Sequence, residues 1–421
     1  MPRAMTRQIF PIVIIPAMTA LMLAGCGQSS VTGLGQQTAS ISNTQSNTQA
    51  AASPTDTKAR AVKVALILPL GGIGEPAQIS RGMKQAAELA LFEADNPAIQ
   101  LITKDDGGTP QGAMAAADAA ISEGAEIILG PLFGKSAAAV QPVAKKTNVP
   151  VIAFSNDPSI AGNGVYLMSF LASEEVHRVV SFAASKGKKR FTALIPDTAY
   201  GKTVEPAFRA AVAKAGGEIV AIKSYPADAS GMLASAKSVV AAIADAEKAG
   251  NPVDALFVPA GQDQLTQLGP LLAYSGISNG KLKLLGTSAW DVPMIARDDA
   301  LTGGWYAASD PGGWMAFADK YRKNFGTAPP RLATLSYDAM TMALTLAANP
   351  GPNRFAAENL TRSQGFNGVV RLMPGGLSSR GLAVLEIEKY RSVVIDAAPQ
   401  SPPGLAAPQV SADAGSARPR L

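Results

Sequence analysis

Two polar residues lie just beyond a short apolar run whose composition is typical of a β-strand. Lys135 and Ser136 follow the run Ile127 to Leu129, and the residues after them have the composition of a helix. Ser136 would therefore stand at a helix N-terminus, where backbone N–H groups lack partners and attract an anion. Lys135 could strengthen an anionic site, with simple solvation of its side chain as the alternative. We predict ligand contact at both positions.

A second polar group follows the next predicted strand, Val151 to Phe154. Ser155 and Asn156 must either enter the crevice at the end of that strand or cap the next element. Asp157 precedes Pro158, so it could accept a hydrogen bond from a ligand ammonium or open an ordinary turn. We take all three as candidate ligand residues, while the sequence leaves binding and capping open.

Two aromatic side chains could enclose a small ligand. Tyr200 offers a flat face and a hydroxyl, which suit a ligand held in a cleft. Trp290 could form a matching wall, because it lies between Gly286 and Pro293 in loop-forming sequence rather than on a periodic apolar face. Packing in the core is the alternative for either ring.

The residues that catalysis, metal binding or cofactor binding would need do not occur in the required patterns. His177 is the only histidine and lies beside Glu174 and Glu175 on a predicted helix, where a solvated helix face explains it. One histidine and one cysteine, Cys26, are too few for a histidine or thiolate metal site. The sequence contains no G-x-S-x-G, and Gly71 to Gly74 lacks the spacing of a phosphate loop. We expect no enzyme activity, no metal and no cofactor.

Short β-branched runs alternate with alanine-rich helical stretches around these side chains. Such alternation is typical of a parallel sheet with helices on both faces, in which ligands bind beyond the carboxyl ends of the strands. The series restarts halfway, which predicts an α/β fold with two doubly wound, Rossmann-like lobes. The predicted strands are Val62 to Leu68, Ile99 to Thr103, Ile127 to Leu129, Val151 to Phe154, Phe191 to Ile195, Glu218 to Tyr225, Ala255 to Pro259 and Lys283 to Gly286. The predicted helices are Ile79 to Ala94, Pro110 to Glu123, Ser136 to Lys146, Glu174 to Ser185, Val204 to Ala215, Met232 to Ala249 and Gln262 to Tyr274.

The N-terminus has the pattern of an exported lipoprotein. Arg3 and Arg7 precede an apolar run from Ile9 to Leu23, and small residues lead directly to Cys26, the only cysteine of the chain. We expect residues 1–25 to be a signal peptide and Cys26 to carry lipid, which would hold the mature protein on a membrane.

Both ends of the mature chain have the composition of disordered segments. Residues 26–61 are mostly Ser, Thr, Gln, Asn and Ala, and residues 396–421 are rich in Pro, Ala and Ser. We predict a tether and a tail, because neither can bury enough apolar surface to fold. Loss of Arg3 and Arg7 with the signal peptide would lower the formal charge of +5 by two. No large basic field would remain, so nucleic acid is not an expected partner.

Six segments, taken in order, carry a family likeness over about Val62 to Val394. They are Val64 to Gly72, Ile102 to Pro110, Ile127 to Leu132, Val149 to Ser155, Ile195 to Gly201 and Leu285 to Asp291. In this order and spacing they resemble the leucine/isoleucine/valine-binding family of type I periplasmic binding proteins.

The resemblance implies a periplasmic receptor with two lobes joined by a three-stranded hinge. The first lobe would comprise residues 62–170 plus 307–350, and the second residues 171–306 plus 351–395. The cleft would hold the candidate residues above together with Ser288, which lies in the segment similar to the second-lobe ligand loop. The ligand would be an amino acid or a similar small polar molecule, delivered to an ABC permease.

Within the family, the chain is most similar to lipoproteins that activate penicillin-binding proteins. The likeness rests on the segment around Cys26, on Gly130 to Phe133, on Ala153 to Asn156 and on Asn163 to Tyr166. This alternative implies a peptidoglycan synthase as partner. The residue after Cys26 is Gly27. An aspartate at this position would resemble an inner-membrane retention signal, so we expect the outer membrane rather than the inner one.

Overall fold

The computed structural model describes residues 61–226, 228–277, 282–349, 351, 353–356, 359 and 363–400. The expected signal peptide, Cys26, the expected tether up to residue 60 and the expected tail beyond residue 400 lie outside the described residues.

The first lobe is built on a five-stranded parallel sheet with the order β2-β1-β3-β4-β5. Alternate residues of β1 point to opposite faces: Val64 and Leu66 join one core, and Ala65 and Ile67 join the other. Both faces are covered by helices, which explains why the strands are apolar throughout. The strands are β1 Val62–Leu68, β2 Ile99–Asp105, β3 Ala125–Leu129, β4 Val151–Ala153 and β5 Val165–Leu167, and the helices between them are α1 Glu75–Ala94, α2 Pro110–Ser122 and α3 Gly134–Thr147.

The second lobe is built on a seven-stranded sheet with the order β15-β14-β10-β9-β8-β6-β7. Five strands are parallel, and β14 and β15 form an antiparallel hairpin beside β10. The parallel strands are β6 Arg190–Pro196, β7 Glu218–Tyr225, β8 Ala255–Phe257, β9 Lys283–Gly286 and β10 Trp305–Ala308, followed by β14 Ala383–Glu388 and β15 Arg391–Asp396. The helices are α4 Ala172–Ser185, α5 Ala199–Lys214, α6 Ala229–Lys248 and α7 Gln262–Tyr274. The α/β prediction with two doubly wound lobes is confirmed.

The chain then returns to the first lobe through two helices and a small antiparallel sheet. Val370 and Leu372 of this sheet lie in the same core as Val64. The sequence-based division, which placed residues 351–395 in the second lobe, therefore differs from the structure up to residue 380, because a strand with alternating apolar residues fits either core. These elements are α8 Pro311–Phe325, α9 Ala333–Ala347, β11 Ser363–Gly365, β12 Gly368–Leu372 and β13 Ser378–Arg380.

The chain passes between the lobes in three segments, at residues 168–171, 309–310 and 381–382. The start of the expected tail is ordered: the Arg178 guanidinium donates to Oδ2 of Asp396 (2.5 Å) and to the carbonyl of Ala397 (3.3 Å). None of the helices in the described ranges is both long enough and apolar enough to cross a membrane.

Asp338 and Arg380 are opposite charges buried inside the first lobe, 0% and 4% exposed. Asp338 accepts hydrogen bonds from the N–H of Phe366 (2.9 Å) and from Nδ2 of Asn367 (3.0 Å), and Arg380 donates to the carbonyl of Asn367 (3.3 Å). Burial raises the pKa of Asp338, and the nearby Arg380 guanidinium opposes this. The hydrogen bonds of Asp338 fix α9 to the turn between β11 and β12.

We expect Asp338→Asn to destabilise the protein by about 3 kcal/mol, because it leaves the buried Arg380 without its counter-ion. Urea unfolding of the full chain measures the loss. Asp319→Asn removes an exposed carboxylate that pairs with Arg322 on α8, and should cost less than about 1 kcal/mol. Equal effects of the two variants would contradict a structural role for the buried pair.

Candidate functional site

A cavity of about 610 Å³ lies between the two lobes. The first lobe contributes Asn156 and Asp157 from the carboxyl end of β4, and the second lobe contributes side chains that follow β6 and β9. Phe170, in the first connecting segment, lies between the two sets. The cavity is therefore at the place where ligands bind in open α/β sheets, and its volume suits a small molecule.

Glu175, in the first turn of α4, lines the cavity with its side chain 4% exposed. Its Oε2 accepts a hydrogen bond from the N–H of Ser288 (3.0 Å), and its Oε1 accepts one from the hydroxyl of Ser288 (2.6 Å). Burial raises the pKa of Glu175 to about 7, the two bonds from Ser288 oppose the rise, and the nearby Asp291 carboxylate adds to it. A buried carboxyl with such a pKa in a cleft is a candidate functional group.

The sequence does not identify Glu175 as a site residue, because a glutamate next to Glu174 and His177 on a helix fits a solvated face. The sequence feature that could have indicated Glu175 is its position shortly after the apolar Phe170 and Leu171. A helix that begins directly at a connection between lobes must turn its first residues toward the cleft, so an acid there is buried rather than solvated.

Tyr200 lies in the first turn of α5 and lines the cavity. The Thr198 hydroxyl caps this helix by accepting from the N–H of Gly201 (3.2 Å), which orients the turn. The hydroxyls of Tyr200 and Thr287 are 2.9 Å apart and hydrogen-bonded. Burial raises the pKa of Tyr200, and the Glu175 charge adds to the rise, so the phenol is neutral and able to donate.

Asp157 combines the two roles that the sequence left open. Its Oδ1 accepts from the N–H (3.0 Å) and the hydroxyl (2.7 Å) of Ser159, which caps the 3-10 turn Pro158–Ile160. Its Oδ2 faces the start of α3: a Cβ built on Gly134 would lie 3.5 Å from it. Asp157 therefore both opens a turn and lines the cavity.

Three of the predicted ligand residues lie in the first lobe but do not belong to the lining of the cavity. Ser155 is 5% exposed, and its Oγ accepts from the N–H of Asp157 (3.1 Å). Ser136 is fully buried in the first turn of α3, and its hydroxyl has no partner within the described part of the chain. Lys135 is exposed, as its solvated alternative predicts.

Trp290 does not form a wall of the cleft. It is 1% exposed, packs in the core of the second lobe and donates from Nε1 to the carbonyl of Val258 (3.1 Å). The indole fits there because Gly286 and Gly304 leave its space open; a Cβ on either would overlap the ring. The same glycine that indicated a loop thus provides room for a core residue.

The charged side chains in the described lining of the cavity are all acidic. Its described lining contains two carboxyl groups, Asp157 and Glu175, from opposite lobes, and no lysine, arginine or histidine. No three His, Cys, Asp or Glu side chains come together as a possible metal site anywhere in the described ranges.

Comparison with known proteins agrees with this architecture. A family model described as periplasmic binding protein matches residues 61–377. An uncharacterized protein of Rickettsia prowazekii is 25% identical over 143 residues, which are 34% of this chain and only 38% of that protein. A Leu/Ile/Val-binding protein homolog of Brucella melitensis is 26% identical over 329 residues, covering 73% of this chain and 81% of that one.

Among solved structures, a Rhodospirillum rubrum protein described as a branched-chain amino acid ABC transporter has the same fold. It matches with a TM-score of 0.70 at 19% identity, over 80% of this chain and 100% of that one.

The raised pKa of Glu175 predicts how stability depends on pH. The folded protein holds the Glu175 proton up to about pH 7, whereas the unfolded chain releases it near the ordinary carboxyl value. Stability from this group is complete below that ordinary value and is lost as the pH rises through 7. Glu175→Gln keeps the shape without the charge, so it should gain stability relative to the wild type across this window, by about 3 kcal/mol at most.

Urea unfolding between pH 4 and 8 measures this difference. Glu174→Gln changes the neighbouring residue in the same way and should keep the wild-type slope. If the free energy of unfolding of Glu175→Gln changed with pH as steeply as that of the wild type, this would contradict a protonated Glu175 in the folded state.

Proposed function

Because the chain belongs to the periplasmic binding protein family, in its leucine-binding branch, we propose that it is a periplasmic receptor for a small polar ligand. The ligand, an amino acid or a similar molecule, would bind in the cavity between the lobes for ABC-type uptake. The observation that carries this proposal is that polar side chains of both lobes line one cavity beside the first connecting segment.

The geometry supports binding by closure of the lobes. Tyr200, Glu175 and Ser288 are fixed to each other or to their own lobe by hydrogen bonds, while Asn156 and Asp157 belong to the other lobe. A ligand in the cavity could contact both sets only when the lobes come together, so it would select the closed form.

Two polar contacts bridge the lobes close to the connecting segments. Arg331, before α9, lies 3.4 Å from Oδ2 of Asp291, and the Ser379 hydroxyl donates to Oε2 of Glu174 (3.0 Å). Contacts at this position leave the cavity side of each lobe able to move about the connections.

The names of the relatives support the class of ligand. The Brucella melitensis protein is named for leucine, isoleucine and valine binding, and the Rhodospirillum rubrum structure is described as a branched-chain amino acid ABC transporter. We therefore propose a binding role without catalysis.

We further propose that lipid on Cys26 anchors the receptor to a membrane surface, with the outer membrane favoured by Gly27. The anchor rests on the charged, apolar and small residues that precede Cys26.

Ligand binding should raise the stability of the full chain in a saturable way, by about 2.7 kcal/mol at a hundred times Kd. Thermal unfolding against amino acids and small peptidoglycan fragments identifies the ligand. Tyr200→Ala should weaken its binding at least tenfold, whereas Tyr274→Ala, the same change at an 82% exposed tyrosine, should leave binding unchanged. If no compound stabilises the protein while a purified peptidoglycan synthase binds it, the activator alternative replaces the receptor.

Cys26→Ser should release the protein from the membrane fraction, because the lipid can then not be attached. Fractionation of cells that express the full chain measures this. Replacement of Ser29 by alanine, close to the same site, serves as the control and should leave the protein with the membranes. Membrane association of the Cys26 variant would contradict the lipid anchor.

A further inference from the structure

We propose that the cavity is selective for a small organic cation, an amine or quaternary ammonium without a carboxylate of its own, with Glu175 and Asp157 as its counter-ions. This inference rests on the proposed receptor function and narrows it: a zwitterionic amino acid would be the poorer ligand.

The charge of the cavity walls favours a cation. Asp157 of the first lobe and Glu175 of the second face the same cavity, and no basic side chain is present in its described lining. Glu175 is buried, and a buried carboxylate is stable only with a counter-ion or hydrogen-bond donors. Asp157 is exposed on the first-lobe side of the cavity. A cation between the lobes would supply that charge to both acids at once.

A ligand carboxylate would be expected at the N-terminus of α3. This place is faced by a carboxylate of the protein itself. The N-terminus of α3 has free N–H groups, and its N-cap residue, Phe133, provides no side-chain cap. Such a terminus attracts an anion. Oδ2 of Asp157 lies 3.5 Å from the Cβ position of Gly134, the first residue of α3. A ligand carboxylate that approached this terminus would meet a like charge.

Neither of the two arginines near the cavity belongs to its described lining. Arg331 pairs with Asp291 and stacks on the ring of Trp314, 4.5 Å from its centre. Arg380 is 4% exposed, lies 5.4 Å from the ring centre of Phe170 and is attracted by the Asp338 carboxylate, while its Nε and Nη2 have no hydrogen-bond partner in the described part of the chain. Neither is placed to neutralise a carboxylate in the cavity, and Lys135 points to solvent.

The remaining surface of the cavity suits an ammonium group. Each oxygen of Glu175 accepts one hydrogen bond, from Ser288, and a carboxylate oxygen can accept more than one. Oδ2 of Asp157 accepts none within the described part of the chain. Phe170 and Tyr200 add aromatic rings, whose faces attract cations.

Isothermal titration of the full chain with matched compounds tests this selectivity. Three sets share their carbon skeletons: amino acids such as leucine and lysine, the amines without the carboxylate such as 3-methylbutylamine and 1,5-diaminopentane, and the acids without the amine such as 4-methylpentanoate. Choline extends the cation set. We expect at least one cation to bind tenfold or more tightly than its amino acid, and the acids not to bind.

Two variants separate selectivity from folding. Glu175→Gln should weaken cation binding at least tenfold, while Glu205→Gln, on the exposed face of α5, should not change it. Asp157→Asn should weaken the cation but strengthen the matching amino acid, because it removes the like charge at α3. A folding defect would lower both affinities and leave their ratio unchanged.

The outcomes distinguish this inference from the proposed function. An amino acid or an acid that binds more tightly than every cation would overturn the inference and leave the receptor function in place. Cation selectivity that is unchanged in both Glu175→Gln and Asp157→Asn would overturn the assignment of the counter-ions. If no compound of any set binds, the receptor function fails, and the inference fails with it.

Discussion

The chain crosses three times between its two large sheets, and these crossings determine where a binding cavity can form. Each sheet buries both faces under helices, so polar side chains can gather only at the strand ends and helix termini. The crossings bring the carboxyl ends of β4, β6 and β9 around one cavity. Because loops at this edge do not have to fill a core, they can carry Asp157, Tyr200 and Ser288 at little cost to the fold.

The buried charges near the crossings fall into two kinds. Asp338 has backbone donors and the Arg380 guanidinium, so its charge is satisfied inside the first lobe. Glu175 has hydrogen bonds from Ser288 but a second acid, Asp291, nearby. The first arrangement lies within one lobe and outside the cavity lining, whereas the second leaves a carboxyl in the cavity whose charge state would depend on what enters it.

The sequence predicts the parallel part of the fold well, because periodicity and strand composition are local signals. The predicted strands Val62 to Leu68 and Glu218 to Tyr225 match the structure residue for residue. The sequence places the small sheet β11–β13 in the second lobe, whereas its Val370 and Leu372 join the core of the first, since its few apolar residues do not show which core receives them. Contacts between residues distant in the sequence determine which side chains reach the site. Trp290 fits into the core because Gly286, at the end of β9, and Gly304, just before β10, leave room for its ring. Glu175 is enclosed by Ser288, 113 residues further on.

The position of the two acids on opposite lobes has a consequence for closure. Ser288 holds Glu175 in the second lobe before any ligand arrives, and Ser159 holds Asp157 in the first. Above about pH 7, where Glu175 is ionised, closure without a ligand would bring two like charges toward each other as water is excluded, and they repel more strongly when the local dielectric falls. A cation would turn that repulsion into two attractions. The same pair of residues would then select the ligand and keep the unliganded receptor open, since the closed form is stable only with a positive charge inside it.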